Sequence, residues 1–220
     1  MYKAVVFDFD YTLGDSTSGI VMSANYALEK LGYPRQETEA IRRTVGLTLP
    51  ESFRALTGVQ DPAAGQAYAD FFHEKAETVM TDHTSLYPGA LSLLAGLRQR
   101  GLKTAIVTTK AHRTIQRIAE RYGALPLLDR LVGGDDVAKE KPDPEGLLGV
   151  AAGFGLAMQT VLYVGDSLVD AKTALAARAP FAAVLTGTTP AGAFAPYSPV
   201  FIGGDLAGIE EYILRALAGG

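Results

Sequence analysis

The sequence predicts an α/β fold: a doubly wound parallel sheet with a Rossmann-like core, interrupted by one inserted all-helical domain. Three observations lead there. Short apolar runs rich in β-branched and aromatic residues recur along the chain and end in polar residues, as strands buried on both faces of a parallel sheet do. Helical patterns of about ten residues separate them, the rhythm of βαβ units. One stretch, from about position 18 to 83, holds helix-like segments and no convincing strand.

The first strand is expected over residues 3–9, ending among the carboxylates of Asp8 and Asp10. Helical patterns follow at 20–31, 35–45, 50–56 and 63–80, a connection far too long for a simple crossover. The chain is expected to leave the sheet after the Asp8 loop and to return near Leu86-Tyr87-Pro88-Gly89. This sets a core of residues 1–16 and 85–220 and a helical cap of residues 17–84. Helix, strand and helix then follow at 90–100, 103–108 and 113–122, with a weaker strand at 131–132. A helix at 144–153, a strand at 160–164, a helix at 168–177 and a strand at 180–184 complete the alternation. Gly101, Gly123, Gly155 and Pro180 punctuate the joins, as helix stops should.

Apolar residues make up 48% of the 220 and charged residues 20%, the profile of an ordinary soluble globular protein. The net charge of −4 argues against non-specific nucleic-acid or membrane-surface binding, which favours a basic face. Absence of cysteine excludes disulfides, thiolate zinc sites and a Cys nucleophile together. The apolar run after Met1 is too short for a secretory signal, and no stretch reaches the roughly eighteen apolar residues of a membrane span. A cytoplasmic protein with no nucleic-acid or membrane partner is expected; the sequence carries no signal for an oligomeric state.

In a parallel sheet the carboxyl ends of the strands converge on one edge, where ligands bind. Asp8 and Asp10 follow the first expected strand, Thr108 and Thr109 the second, and Gly165-Asp166-Ser167 the one at 160–164. Lys141, within Lys139-Glu140-Lys141-Pro142-Asp143-Pro144, opens the helix before that strand. Alone, a threonine ending a strand reflects β propensity and Lys141 reads as a solvated loop charge. Together they form a polar cluster of acids, hydroxyls and one cation. Crowded carboxylates in a low-dielectric cleft stay ionised only when a cation holds them. With no cysteine, and with His73, His83 and His112 away from these strand ends, all-oxygen ligation selects a hard ion, Mg²⁺. A magnesium, a lysine and a hydroxyl around one point would neutralise a phosphoryl group, and a carboxylate in line with the leaving group would serve as nucleophile.

Asp8-Phe9-Asp10-Tyr11-Thr12-Leu13, Val107-Thr108-Thr109-Lys110, Lys141-Pro142-Asp143-Pro144 and Gly165-Asp166-Ser167-Leu168-Val169-Asp170 resemble, in order, the four motifs of the haloacid dehalogenase superfamily. The resemblance covers nearly the whole chain and is nearest to the phosphoglycolate phosphatase-like members with a small helical cap. It implies that Asp8 is the nucleophile and a magnesium ligand. It implies that Asp10 protonates the leaving oxygen, later activates water, and reaches the metal through its backbone carbonyl. Thr108, with the amides of Thr109 and Lys110, would hold phosphate oxygens, and Lys141 would bridge phosphate and Asp8. Asp166 would ligate magnesium, with Asp170 a further ligand or, preferably, a brace for the others.

Position 11 departs from the family, being tyrosine where a small or turn-forming residue is usual. The preferred reading is that the loop needs no positive φ there; the alternative sets Tyr11 against the substrate. Asp10 argues against dehalogenation, because halide leaves without a proton whereas an alkoxide needs one. Phosphonate cleavage is disfavoured as well, since Asp10 is present and Lys30 and Lys75 lie in unsuggestive settings. The leading expectation is therefore a Mg²⁺-dependent phosphomonoester hydrolase for a small phosphorylated metabolite, phosphoglycolate first. A phosphosugar mutase of the β-phosphoglucomutase type is the alternative, with Arg42, Arg43 and Arg54 available to grip a second phosphate. A non-catalytic binding protein on the same fold is the third. Arg42, Arg43 and Gly46 are the candidates for substrate recognition in the insert, beside Tyr11. Lys110 and His112 could line the pocket, though a helix start leaves side chains exposed anyway, and Gly187-Thr188-Thr189 could border the site or simply form a loop.

Overall fold

The computed structural model describes residues 1–219, which divide into two compact units, residues 1–15 with 86–219, and Ser16–Ser85.

The larger unit begins with strand β1 (Ala4–Phe7) and the two-residue strand β2 (Gly14–Asp15). The smaller unit carries helices α1 (Thr17–Lys30), α2 (Thr38–Arg42), α3 (Leu49–Thr57) and α4 (Pro62–Val79). Its apolar centre is an aromatic file in which Tyr33 meets Phe53 edge-on, Phe53 lies against Tyr68, and Tyr68 against Phe72. Helix α3 starts on a capping box: the Thr48 hydroxyl accepts from the Glu51 amide and the Glu51 carboxylate accepts from the Thr48 amide. Helix α2 is shorter than the expected 35–45 segment. Thr44 turns its hydroxyl onto the Ile41 carbonyl at 2.8 Å and Gly46 takes φ +94°, so the chain leaves the helix there.

After the two-residue strand β3 (Ser85–Leu86) the alternation runs α5 (Ala90–Gln99), β4 (Lys103–Val107), α6 (His112–Arg121), β5 (Arg130–Val132), α7 (Glu145–Phe154), β6 (Val161–Gly165), α8 (Leu168–Ala177), β7 (Phe181–Val184), β8 (Phe201–Gly203) and α9 (Leu206–Ala218). Among the described residues six of these strands form one parallel sheet in the order β5-β4-β1-β6-β7-β8. The chain thus starts in the middle, winds outward through β4 and β5, and returns to wind outward through β6, β7 and β8. That is the doubly wound parallel architecture expected from the sequence, and β1 lies at its switch point.

Side chains alternate across the sheet. Ala4, Val6, Ala105, Val107, Tyr163 and Ala183 join Leu147 and Val150 of α7 and Ala171 and Ala174 of α8 in one buried cluster. On the other side α5 and α9 pack together, and against β4 and against β7 and β8, through buried Leu93, Leu97, Ile209 and Ile213. Strand β8 and helix α9 are additions to the sequence expectation. Three residues, Phe201–Gly203, are too few for a periodic signal. Helix α9 carried one, with Leu206, Ile209 and Ile213 on one face behind an Asp205 cap that accepts from the Gly208 amide at 2.9 Å.

Candidate active site

Register fixes where the functional positions fall. Phe7 pairs with Ile106 of β4 and with Val164 of β6, so Asp8, Thr108 and Asp166 all leave the sheet at one edge, beside the switch point. The Asp8 amide still donates to the Val164 carbonyl at 2.9 Å, and the Thr108 amide to Val132 at 3.0 Å, so both positions are pinned by backbone before any side chain acts.

The centre of the site is a buried ion cluster. One Lys141 ammonium donates to Asp8 Oδ1 and to Asp170 Oδ1, both at 2.7 Å, and to the Tyr163 hydroxyl at 3.2 Å. Tyr163, rising from β6, donates in turn toward Asp170 Oδ1 at 3.0 Å and the Val107 carbonyl at 3.2 Å. Burial raises the Asp8 carboxyl to about 7, against the pull of Lys141 and with the help of Asp170 and Asp10. Asp166 is held well above the ordinary carboxylate range, by burial first and then by Asp170 and Asp8. Burial works against the charge of Lys141, yet Asp170 and Asp8 raise it well above its ordinary value. Lys141 is thus a fixed cation.

Asp8, Asp166 and Asp170 are all buried and bring one carboxylate oxygen each within 4.8 Å of one another. Ionised together, these three acids would outweigh the one buried lysine beside them in a low-dielectric site, and all donors are oxygen. That set fits a hard divalent cation. Asp170 is the member most committed elsewhere. Its Oδ1 takes Lys141 and Tyr163, and its Oδ2 accepts the Ser167 amide at 3.1 Å and hydroxyl at 2.6 Å, in the capping box that starts α8. Asp166 has room because position 187 is glycine: a Cβ there would stand 1.8 Å from Asp166 Oδ2. The Thr12 hydroxyl reaches Asp166 Oδ1 at 3.5 Å.

On the opposite side, Thr108-Thr109-Lys110 lead into α6. The Lys110 amide donates to the Thr108 hydroxyl at 3.3 Å, and the Lys110 carbonyl accepts from the Gly134 amide at 3.0 Å. Asp10 Oδ2 lies 3.1 Å from Lys110 Nζ, while Asp10 Oδ1 is buried and lacks a hydrogen-bond partner among the described residues.

The chain matches the haloacid dehalogenase-like hydrolase family over residues 5–184. It belongs to that family. This haloacid dehalogenase-like hydrolase is 37% identical over 187 residues to a phosphoglycolate phosphatase of Cereibacter sphaeroides, covering 83% of this chain and 85% of that one. It is 34% identical over 190 residues to a phosphoglycolate phosphatase of Rhodospirillum rubrum, covering 82% and 78%. A crystal structure from Bacteroides fragilis, assigned as haloacid dehalogenase-like hydrolase, superposes with a TM-score of 0.90 at 38% identity, over 94% of this chain and 98% of that one. These relatives put the hydrolase on the phosphoglycolate phosphatase-like side of its family, among enzymes that act on phosphate esters.

Of the residues singled out in the sequence, Asp8, Lys141, Asp166 and Asp170 come together in the ion cluster of this hydrolase, and Asp10, Thr108 and Thr109 lie in the loops after β1 and β4. Tyr11 requires a correction. It takes φ +59°, so the loop does need the left-handed region at this position. The Phe9 carbonyl accepts from the amides of Thr12, Leu13 and Gly14, and a loop wound this tightly around one oxygen leaves position 11 no extended alternative. Arg42 and Arg43 lie in the Ser16–Ser85 unit, on and just after α2, and both pair with Glu39 at 3.3 Å. Gly46 lies in that unit too. Two contributors escaped the sequence reading. Tyr163 sits inside an apolar strand, where its hydroxyl was the one hint of a polar partner, and Thr12 looks like a turn residue.

Proposed function

We propose that this chain is a Mg²⁺-dependent phosphomonoester hydrolase of the cytoplasm that works through an aspartyl-phosphate on Asp8. The substrate is a small phosphorylated metabolite, with phosphoglycolate the first candidate. The observation that carries this reading is the pairing of Asp8 with Lys141 at 2.7 Å, beside a second aspartate two residues on. An ammonium on one carboxylate oxygen pulls Asp8 toward its ionised form, against the rise that burial imposes, and leaves its other oxygen for attack on phosphorus.

The proposed steps use this chain's own groups. Thr108 and the amides of Thr109 and Lys110 hold the phosphate oxygens, and Lys141 bridges them to Asp8. An Asp8 oxygen bonds to phosphorus as the ester P–O bond breaks, and the departing alkoxide takes a proton from Asp10. Asp10, now a carboxylate, removes a proton from water, which attacks phosphorus and frees Asp8 and inorganic phosphate. Asp8 and Asp166, with the Asp10 carbonyl, would hold Mg²⁺, and Asp170 would brace them. The metal, when bound, supplies charge that offsets the phosphate oxygens. Residues 17–84 would act as the cap that excludes bulk water during transfer, with core residues 1–16 and 85–220 doing the chemistry. Substrate selection by Tyr11, Arg42, Arg43 and Gly46 is part of the same proposal.

The 37% and 34% identities to phosphoglycolate phosphatases support this reading over its rivals. A mutase must grip a second phosphate, and two of the arginines it would draw on are engaged with Glu39. The test is release of inorganic phosphate from 2-phosphoglycolate and a panel of phosphate esters with Mg²⁺. Turnover that disappears in Asp8→Asn is the expected result. No release from any ester would overturn the hydrolase reading, and bisphosphate-primed isomerisation of β-glucose 1-phosphate would replace it with the mutase.

A further inference from the structure

We propose that Lys110 is the positioning residue for Asp10, fixing which of its two oxygens exchanges a proton with the leaving group. This rests on the hydrolase reading above and adds a residue to it.

Asp10 presents an asymmetric carboxylate. Its Oδ2 lies 3.1 Å from Lys110 Nζ, with the two side chains 12% and 6% exposed. Its Oδ1 is buried and lacks a hydrogen-bond partner among the described residues. A buried acceptor with no partner is disfavoured unless a ligand or water uses it. The anchored oxygen and the open one therefore divide the work: Lys110 takes the first and leaves the second for the proton.

Both backbones are already fixed, so the ion pair governs what freedom remains. Asp10 sits in the turn closed around the Phe9 carbonyl. Lys110 is held by its amide on the Thr108 hydroxyl and by its carbonyl on the Gly134 amide. Gly134 in turn packs so closely on the Thr109 carbonyl that a Cβ would stand 2.7 Å from it. Lys141 cannot substitute, because its ammonium is occupied at 2.7 Å by Asp8 and Asp170. The site thus gives Asp8 and Asp170 one shared lysine and Asp10 another.

A lysine that only gripped phosphate would act on every phosphate substrate alike. One that orients the acid matters in proportion to the leaving group's need for a proton. The experiment measures kcat/KM with Mg²⁺ for 2-phosphoglycolate, whose alkoxide needs a proton, and for acetyl phosphate, whose acetate leaves without one. The ratio kcat/KM reports steps through the first transfer to Asp8, so the shared hydrolysis of the intermediate does not blur the comparison. In Lys110→Met the value for 2-phosphoglycolate is expected to fall about 100-fold, and by at least about ten-fold more than that for acetyl phosphate. Lys110→Arg is expected to recover part of the difference. Equal losses on both substrates, or a change confined to KM, would overturn the proposal. Should Lys110→Met not fold, Lys110→Gln carries the same comparison with a neutral side chain of similar reach. Failure of the parent reading looks different: the wild type would then release phosphate from no ester of the panel, these two included, and both claims would go.

Discussion

Lys141 places its ammonium 2.7 Å from Asp8 Oδ1, and the same distance from Asp170 Oδ1, in a setting where all three side chains are buried. The arrangement joins the end of β1 to the start of α8 through a residue adjacent to neither element in the chain. It makes the charge state of Asp8, the α8 capping box and the loop before α7 one electrostatic unit.

Removing the cation should therefore be costly for folding. Lys141→Met leaves two carboxylates buried without their partner, and a loss of about 3–5 kcal/mol is expected in urea unfolding. In an Asp8→Asn background the same substitution should cost less, because one of the two charges it strands is gone. Additive losses would show that the pair does not couple.

The Asp166 pocket gives a prediction that leaves the ion cluster's own residues alone. Gly187→Ala adds a methyl where Asp166 Oδ2 lies 1.8 Å from the ideal Cβ, so the carboxylate must move. The expected result is a folded protein with Mg²⁺ affinity weakened about 10–100-fold, read by titrating activity with the metal. An unchanged Mg²⁺ requirement would remove Asp166 from the ligand set.

The pH dependence of stability follows from Asp8. Burial, with Asp170 and Asp10, raises its carboxyl to about 7 in the folded chain despite Lys141. A folded value above the unfolded one contributes stability that is full below the unfolded value and lost as pH rises through about 7. The metal-free protein should melt lower at pH 8 than at pH 5.5, by about 2–4 °C per pH unit at the steepest. Mg²⁺ binds the ionised carboxylates, so its stabilising shift should be larger at pH 8. Calorimetry with and without the metal checks both; a shift that is larger at pH 5.5 contradicts the assignment.

Much of this site was legible in the sequence because its positions are tied to strand ends. The runs ending at Phe7, Val107 and Val164 are apolar enough to be read as buried parallel strands, and the polar residues that follow them had to share an edge. What periodicity lacks is side-chain direction. Lys110 looked like an exposed helix start until its ammonium was found on Asp10, and Tyr163 looked like packing inside β6 until its hydroxyl was found on Asp170. The left-handed φ of Tyr11 was hidden for a related reason. It is imposed by three amides closing on the Phe9 carbonyl, not by any preference of tyrosine. Strand β8 was hidden by brevity.

In the proposed mechanism phosphate passes through a covalent bond to Asp8. Acid quench of the enzyme during turnover of a ³²P-labelled phosphate ester, with Mg²⁺ present, tests it directly. Acid-stable, hydroxylamine-labile label is expected on the peptide that contains Asp8, and none in Asp8→Asn. Steady phosphate release with no label on the protein, or with label on another peptide, would contradict it.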